Sequence, residues 1–183
     1  KKNGPDAFAE IYLAEMGSVQ RLTGDNSLPP TLVGAKTVVV DGKVWSFGGL
    51  TADAFPDAGP MVFEVDGSGT IKARQALISP EDRKTLERVF HSATPLSDGK
   101  SVLIAGGYRQ GAQALDTWAL VEINADTISI TARGKLSSGR IGHEATLIRG
   151  GLLRGSVLVT GGLNAFGTGA LLSSDAELFL SLN

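Results

Sequence analysis

The sequence predicts an all-β fold built from repeated four-stranded antiparallel sheets. Three observations predict it. A short apolar run ending in two glycines occurs three times, as Val44-Trp-Ser-Phe-Gly-Gly-Leu50, Ser101-Val-Leu-Ile-Ala-Gly-Gly-Tyr108 and Val157-Leu-Val-Thr-Gly-Gly-Leu163. Its first glycines, Gly48, Gly106 and Gly161, lie 58 and 55 residues apart, and a period near fifty marks a repeat architecture. The 24 glycines among 183 residues sit at strand ends and in loops, as an all-β chain with many tight turns requires.

The elements follow in order. Ile11 and Leu13 alternate with Tyr12 and Ala14, and Ser18 to Thr23 forms a second short strand after the Met16-Gly17 turn. Pro29-Pro30 closes the loop behind them, because proline cannot continue a ladder. Ala35 to Val40 and Lys43 to Gly49 flank Asp41-Gly42, a strong hairpin signal. Met61 to Val65 and Thr70 to Leu77 complete a four-stranded meander over 35–77. Ser79-Pro80-Glu81-Asp82 reads as an N-cap, a proline at the first helical position and acids in the first turn, so one or two helical turns interrupt the β pattern.

The second unit, 91–131, repeats the first. Its strands are His91 to Leu96, Ser101 to Tyr108, Thr117 to Asn124 and Thr127 to Thr131, with Asp98-Gly99 at its first turn. The third unit, 142–180, holds Gly142 to Ile148, Ser156 to Gly162 and Asp175 to Leu180, three strands of the four. Ala9-Glu-Ile-Tyr12 and Ala176-Glu-Leu-Phe179 are the same phrase, so 6–23 reads as strands three and four of an earlier unit. A little over three units result. The chain starts with Lys-Lys rather than Met, and both ends fall inside units. Missing parts of a longer chain are therefore expected to complete the assembly, ahead of additional copies of this one.

Composition narrows the function classes. A net charge of −2 leaves no electrostatic footprint for nucleic acid. With no cysteine, disulfides, thiolate metal sites and cysteine nucleophiles are excluded. No apolar run is long enough to span a bilayer as a helix. Charge is unevenly placed. Leu50 to Thr70 holds Asp53, Asp57, Glu64 and Asp66 and no base, whereas Arg133 to Arg154 holds five bases and one acid, Glu144. Ordinary solvated loops account for this, and the sharper reading is a complementary contact surface.

The stretch Arg88-Val-Phe-His91-Ser-Ala93, Asp98-Gly99, Val102-Leu-Ile-Ala-Gly-Gly107 resembles a kelch repeat of the bacterial type. Arg140-Ile-Gly-His143-Glu-Ala145 followed by Gly161-Gly162 resembles it again. In the first unit Leu32-Val-Gly-Ala35 stands in this place, without the Arg and His. The tryptophan usual to the family's fourth strand is absent, and Trp45 and Trp118 lie in strands two and three. The resemblance implies a β-propeller segment whose blades are these four-stranded sheets, a little over three of them in an incomplete ring. Propellers take four to eight blades, roughly, around a central channel.

Chemistry is sparse. His91 and His143 recur at the repeat period and read as structural residues, with a two-histidine metal site as the alternative. No phosphate cradle, nucleophile elbow or acid–base pair of carboxylates is marked out. The expectation is no cofactor, no metal and no catalysis. Function then falls to the long loops after each diglycine, Leu50 to Pro60, Tyr108 to Asp116 and Leu163 to Ser174. Their candidate contact residues are Phe55, Tyr108, Arg109, Gln110, Gln113, Asn164 and Phe166. The resemblance implies a protein-binding scaffold of the bacterial envelope or the extracellular space. The competing expectation is a carbohydrate-binding or galactose-oxidase-like propeller with its site on other blades. That enzyme family's Tyr–Cys crosslink has no cysteine to form from here.

Overall fold

A computed structural model describes residues 9–13, 17–22, 33–50, 59–65, 71–109, 113–165, 167 and 169–180. Among the described residues the chain is all-β apart from one short helix. Strands β1 (Ala9–Leu13) and β2 (Ser18–Leu22) form an antiparallel hairpin. Sheet one is the meander β3 (Lys36–Val40), β4 (Lys43–Phe47), β5 (Met61–Val65) and β6 (Ile71–Gln75). Sheet two is the meander β7 (Ser92–Pro95), β8 (Ser101–Ala105), β9 (Thr117–Asn124) and β10 (Thr127–Lys135). Sheet three has β11 (Glu144–Leu147), β12 (Val157–Thr160) and β13 (Ala176–Phe179) in the order β11-β12-β13.

Local chemistry explains the turns. Asp41 and Gly42 take φ of 51° and 69°, the two left-handed residues that a tight hairpin with native twist needs. At the next equivalent turn Asp98 Oδ1 accepts hydrogen bonds from Lys100 N (3.1 Å) and Ser101 N (2.8 Å). Pro95 is tolerated because β7 is the edge strand of its sheet. Helix α1 (Pro80–Leu86) starts as the sequence reads, with Ser79 accepting from Asp82 N at 3.1 Å. Leu86 turns inward and is buried.

One strand runs longer than expected. Beyond Thr131, β10 shifts register between Ile130 and Ala132 and continues to Lys135, opposite Thr117. The shift is a β-bulge, which inserts a residue and re-aims the strand. Gly134 then lies under the indole of Trp118, where a β-carbon would stand 2.6 Å from Cε2.

The sheets pack face to face in series. Val38, Val40, Trp45, Phe47 and Val62 of sheet one meet Val102, Ile104, Val121, Ile123 and Ile128 of sheet two. The opposite face of sheet two, through Leu103 and Trp118, meets Val157, Val159 and Phe179 of sheet three. Sheet two is thus covered on both sides, and every residue of β8 is buried. Sheet three is covered on one, so β12 alternates buried and exposed residues. Burying a Val, Leu or Ile side chain contributes about 1.5–3 kcal/mol, so both seams are driven mainly by apolar area. The first strands lie side by side, β3 along β7 and β7 along β11. Thr94 Oγ1 donates to Ala145 O across the second of these contacts, at 3.2 Å. On the far side of sheet one, Leu77 bridges Thr127 of sheet two.

Candidate functional site

The three diglycines share one backbone geometry. Their φ pairs are 62° and 105° at Gly48-Gly49, 60° and 97° at Gly106-Gly107, and 70° and 100° at Gly161-Gly162. L side chains rarely adopt such angles. The residue after each pair bridges back to its own unit's lead-in segment: Leu50 to Val33, Tyr108 to Val89, Leu163 to Ile141. The end of each second strand also meets the next lead-in segment, because Gly49 N donates to Arg88 O (3.0 Å) and Gly107 N to Arg140 O (2.8 Å). All three long loops therefore leave the same end of the stacked sheets.

Beneath that end runs a seam of buried polar side chains. Arg88, His91, Arg140 and His143 are all buried. Arg88 Nη1 donates to Gly106 O (2.9 Å) and Thr117 O (3.0 Å), and Nη2 to Thr85 O (2.7 Å). Arg140 Nη1 donates to the corresponding carbonyls Gly161 O and Asp175 O, both at 3.2 Å. Each arginine thus ties its own sheet with its guanidinium and the preceding diglycine with its carbonyl. Arg140 has in addition a carboxylate, Glu177 Oε1, at 2.6 Å. Arg88 has Ala119 in the corresponding place, and its partners are carbonyls and, at 3.3 Å, the Thr117 hydroxyl. Burial, with the Arg109 charge second, lowers the Arg88 pKa to about 10.

His143 Nε2 shares a hydrogen bond with Ser92 Oγ at 2.9 Å. Burial first, then the Arg140 charge, lowers its pKa to about 4. His91 is held well below the ordinary histidine range by burial, and then by the Arg88 charge. Both imidazoles are therefore neutral at pH 7 and shielded from water. Among the described residues no group of three or more His, Asp or Glu side chains is placed to hold a metal ion.

Of the sequence-designated contact residues, Phe55, Gln110 and Phe166 lie outside the described residues. Tyr108 and Arg109 are half-buried at the start of the second loop, and Gln113 is exposed. Asn164 is exposed, but its Oδ1 accepts from Leu171 N at 2.8 Å, so its side chain organises the third loop. That loop presents two residues the sequence reading did not single out, Leu171 and Leu172, 66% and 83% exposed. Their sequence signal is an adjacent leucine pair in a loop outside any strand pattern.

The uneven charges are partly spent inside the chain. Glu64 pairs with Lys43 (3.0 Å) and Arg74 (2.9 Å), and the same two cations reach Asp126 of sheet two at 3.0 and 2.8 Å. Arg133 pairs with Asp82, and Lys135 with Asp116 at 2.9 Å. Asp53, Asp57 and Asp66 lie outside the described residues. Among the described residues no helix is long and apolar enough to cross a membrane.

Comparison with protein-family models and with curated proteins finds no match. The sheets and their geometry define the chain as an all-β protein of serially packed antiparallel meanders.

Proposed function

We propose that this chain is a segment of a kelch-type β-propeller that binds a protein partner without catalysis, through the loops that follow the diglycines. The observation that carries the reading is the threefold junction of diglycine, bridge residue and loop at one end of the stack. Side-by-side first strands and face-to-face sheets are the packing that a ring of blades requires. Leu171, Leu172, Tyr108 and Arg109 supply apolar, aromatic and guanidinium groups at that end. Such groups dominate the energetic centres of protein interfaces.

The test is capture of a partner on the immobilised chain, followed by titration against Leu172→Ser and Tyr108→Ala. The expected result is one stoichiometric protein partner, bound at least tenfold more weakly by each variant with unchanged circular dichroism. Specific glycan binding that Tyr108→Ala abolishes replaces this reading with a carbohydrate-binding one. Partner binding indifferent to both substitutions moves the site away from these loops.

A further inference from the structure

The first hairpin of each sheet turns at the end of the stack opposite the long loops, because its second strand starts there and finishes at the diglycine. In sheet one two residues make the turn, Asp41 and Gly42. In sheet two Leu96 N donates to Ser101 O at 2.8 Å, and the turn between them has four residues, Ser97 to Lys100. In sheet three the corresponding bond is Ile148 N to Ser156 O, also at 2.8 Å. The turn it encloses has seven residues, Arg149-Gly-Gly-Leu-Leu-Arg-Gly155. Both shorter turns contain an acid, and this one has none.

The longer turn projects from the fold. Every residue from Arg149 to Arg154 is exposed, Leu152 completely and Leu153 at 47%. A β-carbon added at Gly150 or Gly151 would meet nothing within 4 Å, so the tip stands clear of the sheets. Its backbone is closed on itself: Gly155 N donates to Ile148 O (2.8 Å), Ser156 N to Leu153 O (3.0 Å) and Arg154 N to Gly151 O (3.3 Å). Apolar area stabilises only where water leaves it, and at this tip only a partner can remove the water. The flanking charges indicate which partner. Of the five bases between Arg133 and Arg154, Arg133 and Lys135 are paired with acids and Arg140 is buried on Glu177. Arg149 and Arg154 have no carboxylate partner among the described residues, and they bracket the leucine pair. Of the acids at this end, Asp98 is held by turn amides and Glu122 and Asp126 by cations. Asp41 belongs to sheet one, with sheet two between it and the tip.

We propose that Leu152 and Leu153 insert into the surface of an anionic phospholipid membrane, with Arg149 and Arg154 on its headgroups. An apolar tip between two guanidiniums matches that boundary: the leucines enter the acyl layer, and the arginines lay their stems along it and keep their charges among phosphates. Entry also requires backbone groups that are already paired, as the amides of Arg154, Gly155 and Ser156 are. The tip carries no aromatic ring, the usual anchor of a protein contact. The net charge of −2 gives the chain no general attraction to an anionic surface, so attachment depends on this turn. One short apolar insertion with two charges is a reversible anchor. It leaves the long loops facing away from the bilayer, and it does not rest on what those loops bind.

Vesicle flotation tests this on the chain as it stands. Phosphatidylcholine vesicles with about 30% phosphatidylglycerol should carry the chain upward at low salt, and phosphatidylcholine alone should bind it about tenfold more weakly or less. Leu152→Ser/Leu153→Ser and, separately, Arg149→Gln/Arg154→Gln should each weaken binding about tenfold with unchanged circular dichroism, and salt of about 0.5 M should act like the arginine variant. Leu171→Ser/Leu172→Ser removes the exposed leucine pair at the loop end and should leave flotation unchanged. A wild-type chain that floats with neither vesicle overturns the proposal, as does equal flotation with both. Binding that survives loss of Leu152 and Leu153, or that is lost with Leu171 and Leu172, overturns it too. A protein partner captured through Leu152 and Leu153, with no vesicle binding, replaces the membrane by a protein. The loop reading is tested by Leu172→Ser and Tyr108→Ala at the other end, so the two fail separately.

Discussion

The imidazole of His143 rests on the bare Cα of Gly106. A β-carbon at Gly106 would stand 2.5 Å from His143 Cε1 and 2.6 Å from the carbonyl oxygen of Arg140. Gly48 stands in the same relation to His91, whose Cε1 would be 2.9 Å from the added carbon. At Gly161 a β-carbon meets nothing within 4 Å. Equivalent glycines with equal φ thus differ only in what lies over them.

That difference yields a paired prediction. Gly161→Ala carries the left-handed backbone penalty alone, about 1–2 kcal/mol. Gly106→Ala carries that penalty and a clash with backbone and ring, a further 1–3 kcal/mol or so. Urea denaturation of the two variants should show the larger loss at Gly106. Equal losses would mean that His143 and Arg140 move aside without cost.

The buried histidines make stability depend on pH. His143 in the folded chain has a pKa of about 4, below its ordinary value of 6.5, and His91 is lowered as well. The unfolded chain therefore binds more protons than the folded one between these values, and stability rises with pH there. The contribution is complete above pH 6.5 and is lost progressively as pH falls towards 4, to the extent of about 3 kcal/mol for His143. His143→Asn should flatten this part of the curve of urea midpoint against pH. A wild-type midpoint constant from pH 7 to about 4.5 would contradict it.

Glu177 answers a buried cation. It accepts from Arg140 Nη2 and, through Oε2, from Ser137 N, both at 2.6 Å. Glu177→Ala leaves the buried guanidinium of Arg140 without its carboxylate. The expected loss is about 3–5 kcal/mol, measured by denaturant titration. The double variant Arg140→Met/Glu177→Ala should recover part of it, because the uncompensated charge is then gone.

Ser79 caps a helix of seven residues, Pro80–Leu86. Ser79→Ala removes the acceptor for Asp82 N and should destabilise the chain by about 1 kcal/mol. Ser79→Asp should restore most of the loss. A neutral Ser79→Ala would show that α1 is held by the burial of Leu86 alone.

The sequence revealed the strands because its signals were local. Asp41-Gly42 sets a two-residue turn by its own φ preferences, and Val38 and Val40 alternate with Thr37 and Val39. The extension of β10 was hidden for the same reason. Ala132, Arg133, Gly134 and Lys135 carry no apolar alternation, and they pair only because a bulge at Thr131 restores the register. The arginine–histidine seam was legible as a repeat, but its partners were not. Arg140 meets Glu177 across 37 residues, and only the folding of sheet three into its own meander brings them together. Asn164, read from the sequence as a contact group, also has a role within its loop that no local signal announced, its side-chain carbonyl accepting from Leu171 N.

The middle strand of the stack has a peculiarity of alignment. A strand with one wet face is locked in place, because a one-residue slip turns its apolar side to solvent. Ser101 to Ala105 has no wet face, since Val102 and Ile104 serve one core and Leu103 the other. Hydrophobicity alone would accept it shifted by one. The phase of β8 is held from its two ends instead. Asp98 grips the amides of Lys100 and Ser101 at one end, and Gly106 admits no side chain at the other. The residues that carry no apolar surface are the ones that decide which core each apolar residue enters.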